Sequence, residues 1–160
     1  MKFLNKKQKN NKGFSLVELI VVIAIMVVLV AVLAPVFTKY IESSRRATDV
    51  QNANSIAESV LADVADRAKW YTDGTGYVDG TVLEASATNK TPTALKEDVK
   101  TKGNASGKNQ SFYFSYDSAT NKCKVTTAAS KPTSISDDLD LTNETAANNY
   151  KNAESEGAFK

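Results

Sequence analysis

Gly13–Pro35, GFSLVELIVVIAIMVVLVAVLAP, decides how the rest of the chain is read. From Phe14 to Ala34 this stretch carries one charge, Glu18. An apolar run of about 20 residues is long enough to cross the hydrocarbon of a bilayer as a helix. Lys2, Lys6, Lys7, Lys9 and Lys12 precede it, with no acid among them. A basic flank of this kind holds the N-terminal end in the cytoplasm, which leaves everything after Pro35 outside. Two details do not suit an ordinary anchor. Glu18 lies one helical turn after Phe14, where a carboxylate costs about 2.5–3.5 kcal/mol on insertion scales and so calls for a partner. The Gly13–Phe14 junction also lies before the apolar run, whereas a secretory signal is cut after it. A cut at Gly13 falls on the cytoplasmic side and leaves the apolar helix in the product.

A basic leader ending in Gly13, then Phe14-Ser15-Leu16-Val17-Glu18 and an apolar helix interrupted by Pro35, closely resembles the N-terminus of type IV pilins and pseudopilins. The close resemblance covers residues 1–40; a long helix followed by a small head matches the family in outline. The motif is specific, because it combines a cleavage glycine, a methylatable aromatic, a fixed carboxylate and a proline at set spacings. Ser15 stands where threonine is commoner. The resemblance implies that a prepilin peptidase cuts between Gly13 and Phe14 and methylates the new amine of Phe14. It implies that Glu18 pairs with the Phe14 amine of a neighbouring subunit.

The function so implied is that of a structural subunit, a major pilin. Such a subunit is held in the cytoplasmic membrane before assembly and polymerises into a helical surface filament for adhesion, motility or DNA uptake. The implied partners are further copies of the chain, the peptidase and methyltransferase, and an inner-membrane assembly platform with its motor. Nucleic acid enters only through what the filament does. A pseudopilin or minor pilin of a type II secretion or competence apparatus is the alternative within the family. A membrane-tethered ligand-binding module is the alternative from another class.

The 160 residues allow one small head beyond the helix, with a modest core. The 20 basic residues outnumber the 18 acidic ones only through the leader, so the head offers no basic surface for nucleic acid. Cys123 is the single cysteine, so no intrachain disulfide can form. That departs from the many Gram-negative pilins that close a C-terminal loop with a disulfide, and is closer to the cysteine-poor pilins of Gram-positive bacteria. There is no histidine, which removes the commonest general base and metal ligand. With no Ser-His-Asp set, no Cys-His pair and no phosphate-cradling glycine loop, the expectation is neither an enzyme nor a cofactor protein. Cys123, in an alternating strand, reads as a small buried residue.

The expected fold is α+β. A cleaved leader (1–13) precedes a transmembrane or filament-core helix (14–36), kinked at Pro35. An amphipathic continuation (37–72) and a β-rich head with a loose tail (73–160) follow. Pro35 lacks the N–H that the Ala31 carbonyl would accept, which favours a kink or a local melt. Periodicity nevertheless resumes at once, so the helix is expected to continue. Phe37, Tyr40, Ile41, Ser44, Ala47, Val50, Ala53, Ala57, Val60, Leu61, Val64 and Ala68 recur at threes and fours as one core-facing stripe. Glu42–Arg46, Arg45–Asp49 and Asp63–Arg67 read as ion pairs on the opposite, solvated face.

Asp73-Gly74-Thr75-Gly76 should stop the helix near Trp70–Thr72. Tyr77, Val78, Val82 and Leu83 suggest a short strand. Thr91-Pro92 opening Thr93–Val99 suggests a short helix with Thr91 as N-cap. Lys102–Gln110 reads as a loop. Phe112, Phe114 and Tyr116 alternate against Cys123, Val125 and Thr127 across a turn at Asp117–Lys122, the clearest hairpin in the chain. One more strand is expected near Thr133–Ile135 or Leu139–Leu141, then a loose asparagine-rich tail. Asp73 and Asp79 lie in a run that resembles a calcium loop, though its spacing is not that of an EF-hand. With Asp137 and Asp138, beside Asp140, they are the metal candidates, against solvated turns as the plainer reading. Four Asn-x-Ser/Thr patterns, at Asn89, Asn104, Asn109 and Asn143, fit chance in so asparagine-rich a chain.

Overall fold

The computed structural model describes residues 13–66, 80–87, 92, 95–105 and 107–153. It contains α1 (Leu16–Asp66), β1 (Val82–Glu84), β2 (Ser111–Asp117), β3 (Lys122–Ala128) and α2 (Glu144–Lys151). This is an α+β chain: a long apolar helix followed by a small antiparallel sheet, as the sequence indicates. The chain divides into two units, Met1–Lys39 and Tyr40–Lys160.

In the first unit α1 opens with a capping box, in which a side chain at each end of the first turn satisfies a free backbone donor. Ser15 Oγ accepts the Val17 N–H at 3.4 Å, and Glu18 Oε2 accepts the Ser15 N–H at 2.9 Å. Every residue from Leu16 to Lys39 is exposed within the chain. The helix runs through Pro35 without interruption, so the chain does not melt there. Just after the proline, Thr38 Oγ1 donates to the Ala34 carbonyl at 2.6 Å.

In the second unit, the buried face of α1 consists of Arg46, Asp49, Val50, Ala53, Ile56, Ala57 and Val60. This corrects the expected stripe. Tyr40, Ile41, Ser44 and Ala47 are exposed. Steps of three residues fall about 60° short of a turn, so a run of them drifts round the helix. Asp49, nine residues after Tyr40, lies about 180° away from it. The apolar stripe therefore joined two different faces, and the core face starts with two charged residues.

The sheet has the order β1-β2-β3, antiparallel throughout. Leu83 pairs with Phe114, and Phe114 with Val125. The period-two alternation sends Phe112, Phe114, Tyr116, Cys123 and Val125 into one core with Val50, Ala53, Ile56, Ala57 and Val60 of α1. Tyr113 points to the other face, where Val82 and Ile135 cover it. The β2–β3 turn forms as its residues dictate. Asp117 accepts the Ala119 N–H at 2.9 Å and the Thr120 hydroxyl at 2.6 Å, and Asn121 takes the left-handed φ of 52° that closes the turn.

Three expectations are corrected here. Residues 95–99 form no helix; the Asp98 carboxylate accepts the Ala87 N–H at 2.8 Å and Lys100 bridges to Ser111, so tertiary pairing draws the segment out. No strand forms at Thr133–Ile135 or Leu139–Leu141; there Leu141 donates a lone backbone bond to the Val125 carbonyl at 2.7 Å. The expected loose tail contains α2, capped by Asn143, whose side chain accepts the Thr145 N–H at 2.9 Å. Its buried residues Ala146, Ala147 and Tyr150 fall on one face. The described residues of Lys102–Gln110 form a loop, as expected. The helix stop at Trp70–Thr72, Tyr77, Val78 and the Thr91 cap lie outside the described residues.

Candidate functional site

The segment 13–18 is built from the start of α1. Gly13 and Phe14 precede the helix, and Phe14 is 86% exposed. Glu18 is the acidic residue of the first turn, and its carboxylate folds back onto the Ser15 amide. In sequence Glu18 stands as a charge in search of a partner; the structure gives it a local one, the Ser15 amide. The signal was present in Ser15-x-x-Glu18, the spacing of a capping box. The most apolar part of α1 contributes no residue to a core: its 18-residue window has a mean hydropathy of 3.3 and is 0% buried. Length and composition are those of a helix able to cross a membrane.

The second constellation lies on α1 in the globular unit. Asp49 is fully buried, and its carboxylate accepts the Lys102 N–H (2.7 Å), the Gly103 N–H (2.7 Å) and the Tyr150 hydroxyl (2.9 Å). Burial raises its pKa above the ordinary 3.8, against the opposing pull of these three donors. Arg46 is also buried, with its Nε 3.3 Å from Glu42 and its Nη2 donating to Asn104 Oδ1 at 2.7 Å. Its Nη1 faces the carbonyls of Lys151 and Ala153. The Glu42–Arg46 pair thus exists, but at the edge of the core. Arg45–Asp49 does not form: Arg45 lies 3.8 Å from Glu42 instead. Arg67 of the third expected pair is outside the described residues. No local pattern announces Arg46 and Asp49 as buried: the one local partner, Glu42, reads as a surface pair, and the others come from more than 50 residues away.

Of the metal candidates, Asp73 and Asp79 lie outside the described residues. Asp137 pairs with Lys124 at 2.7 Å, which holds its carboxyl below the ordinary value. Asp138 is exposed. Asp140 Oδ1 accepts the Val125 and Thr142 amides, both at 3.0 Å, and the Thr142 hydroxyl at 2.7 Å. Among the described residues no group of three or more His, Cys, Asp or Glu is placed to hold a metal ion. Cys123 is buried, and its thiol is pushed up to about 12, first by burial and then by the charge of Asp140. A thiol so placed is a poor nucleophile. Asn104 and Asn143 use their side-chain oxygens within the fold, for Arg46 and for the α2 cap.

Residues 8–34 match the family described as the prokaryotic N-terminal methylation motif. The chain is 30% identical over 106 residues to a fimbrial protein, EcpC, of Eikenella corrodens, an alignment covering 60% of this chain and 67% of that protein. It is 40% identical over 65 residues to prepilin peptidase-dependent protein A of Clostridium perfringens, covering 40% of this chain and 46% of that one. It thus spans about half the length of the Clostridium relative. No solved structure is a significant match. An exposed apolar helix that carries a methylation motif, followed by a small α+β unit, is a pilin-like architecture. The chain belongs to the type IV pilin and pseudopilin family.

Proposed function

We propose that the chain is the repeating subunit of a type IV pilus, a major pilin with a structural role. The carrying observation is α1 itself, whose most apolar stretch buries nothing within its own chain. Such a surface requires lipid before assembly and neighbouring helices after it. A prepilin peptidase cuts between Gly13 and Phe14 and methylates the Phe14 amine. The basic leader keeps that end in the cytoplasm and the globular unit outside. An assembly platform and its motor then draw the subunit into a fibre through head-to-tail contacts that do not close into a ring. Glu18 meets the Phe14 amine of a neighbour there. The fibre serves adhesion, motility or DNA uptake. The names of the two relatives, one fimbrial and one dependent on prepilin peptidase, support this reading.

The test is the N-terminus of subunits sheared from cell surfaces, read by mass spectrometry. They should begin with methylated Phe14. Gly13→Arg should leave the precursor uncut and the surface bare. Fibres of normal number from that variant would overturn the assignment. Short fibres confined to the envelope would instead favour a pseudopilin.

A further inference from the structure

The late residues of this chain lie against its early helix, and the chain has no second cysteine with which to fix them there. We propose that Arg46 and Asp49 form a non-covalent clasp that receives the end of α2 and closes the globular unit last. The geometry on both sides is specific. Asp49 takes the Tyr150 hydroxyl at 2.9 Å across 101 residues. Arg46 Nη1 faces the Lys151 carbonyl across 105 residues and the Ala153 carbonyl across 107. The Lys151 carbonyl ends the helix and needs a donor that the helix cannot supply, and the Ala153 carbonyl follows just past the C-cap, Asn152. Lys102 and Gly103 seal the third side with their amides. At Gly103 a Cβ would stand 2.6 Å from Arg46 Cγ and 2.9 Å from Asp49 Oδ2, so the loop lies directly against the two side chains.

Until residues through Ala153 arrive, Asp49 lacks the Tyr150 hydroxyl and Arg46 lacks the two carbonyls, and only the Lys102 and Gly103 amides, Glu42 and Asn104 are at hand. A buried charged group left short of a hydrogen-bond partner is destabilised. The early core of α1, β1, β2 and β3 therefore stays open while the chain is being made, and α2 commits it. On the outward-facing reading proposed above, closure follows passage of the unit across the membrane. The clasp performs, with hydrogen bonds, the task of a covalent staple.

The test uses the full-length chain in membranes and two stop positions, one after Ala153 and one after Asn149. The chain ending at Ala153 should keep the protease resistance of the globular unit. The chain ending at Asn149 should be cleaved roughly ten- to a hundredfold faster, as expected when a buried polar group loses its partner and opening controls cleavage. Tyr150→Phe should speed exchange of the Lys102 and Gly103 amides, which share the Asp49 carboxylate with the Tyr150 hydroxyl. Arg46→Met should be cleaved faster by itself, yet add little to the Asn149 truncation. Resistance retained after the Asn149 truncation, loss of resistance in the Ala153 chain, or fully additive effects would each overturn the clasp.

Discussion

Glu18 has two partners to choose between, and the choice locates its function. In the single chain it accepts the Ser15 amide at 2.9 Å. In the fibre proposed here it meets the amine of another chain. Removing one member of a buried charged pair costs roughly 3–5 kcal/mol. Glu18→Ala should therefore be cleaved, stay in the membrane and yield few or no fibres, and Glu18→Asp, one methylene shorter, should assemble poorly. Electron microscopy of a strain with no other copy of the subunit decides it; normal fibre numbers from Glu18→Ala would reduce Glu18 to a helix cap. Asp49 gives a second prediction. Its carboxyl sits above the ordinary 3.8 because burial outweighs its donors. The folded state then takes up a proton before the unfolded state as pH falls. Its contribution is most favourable below the unfolded value and declines as pH rises through 3.8 to the folded value. Asp49→Asn cannot titrate and should flatten that part of the stability curve. Urea unfolding across the acid range measures this, and an unchanged slope would remove Asp49 as its source.

Within α1, the weak point is Pro35. A proline inside a helix removes one hydrogen bond and costs about 3 kcal/mol. The helix here absorbs that loss without breaking. Pro35→Ala should slow amide exchange across Val30–Lys39 in detergent-held subunits. Equal exchange in the two proteins would mean that the proline leaves no local softness for a fibre to use. The elements differ in how openly the sequence declares them. The β2–β3 hairpin is legible because alternation and turn chemistry act within a few residues. The phase of the buried face on α1 is not, because residues spaced by three drift round the helix and Arg46 and Asp49 look solvated until distant partners arrive. The α2 helix is hidden for another reason. Its buried face is two alanines and Tyr150, too little to stand out in an asparagine-rich stretch, and a helix of about eight residues is marginal without packing. The 95–99 segment errs the other way: residues that suit a short helix are drawn out by Asp98 and Lys100. The candidate site divides likewise. Gly13, Phe14 and Glu18 are readable from spacing, whereas the clasp residues become visible only once the fold brings them together.

For the molecule as a whole, one continuous helix belongs to two units, and each unit asks something different of it. The first needs an apolar surface on all sides, the second a single buried face. The second unit has no cross-link of its own. Cys123 is single, buried and poorly ionised, so it is unsuited to joining either its own chain or another. The consequence is mechanical. Under load, no covalent loop limits how far this unit can be drawn out. The contacts that hold the end of α2 to α1, Tyr150–Asp49 and Arg46 to the two carbonyls, are hydrogen bonds. A fibre built of such subunits would have no disulfide to limit its extension and would behave the same in reducing and oxidising surroundings.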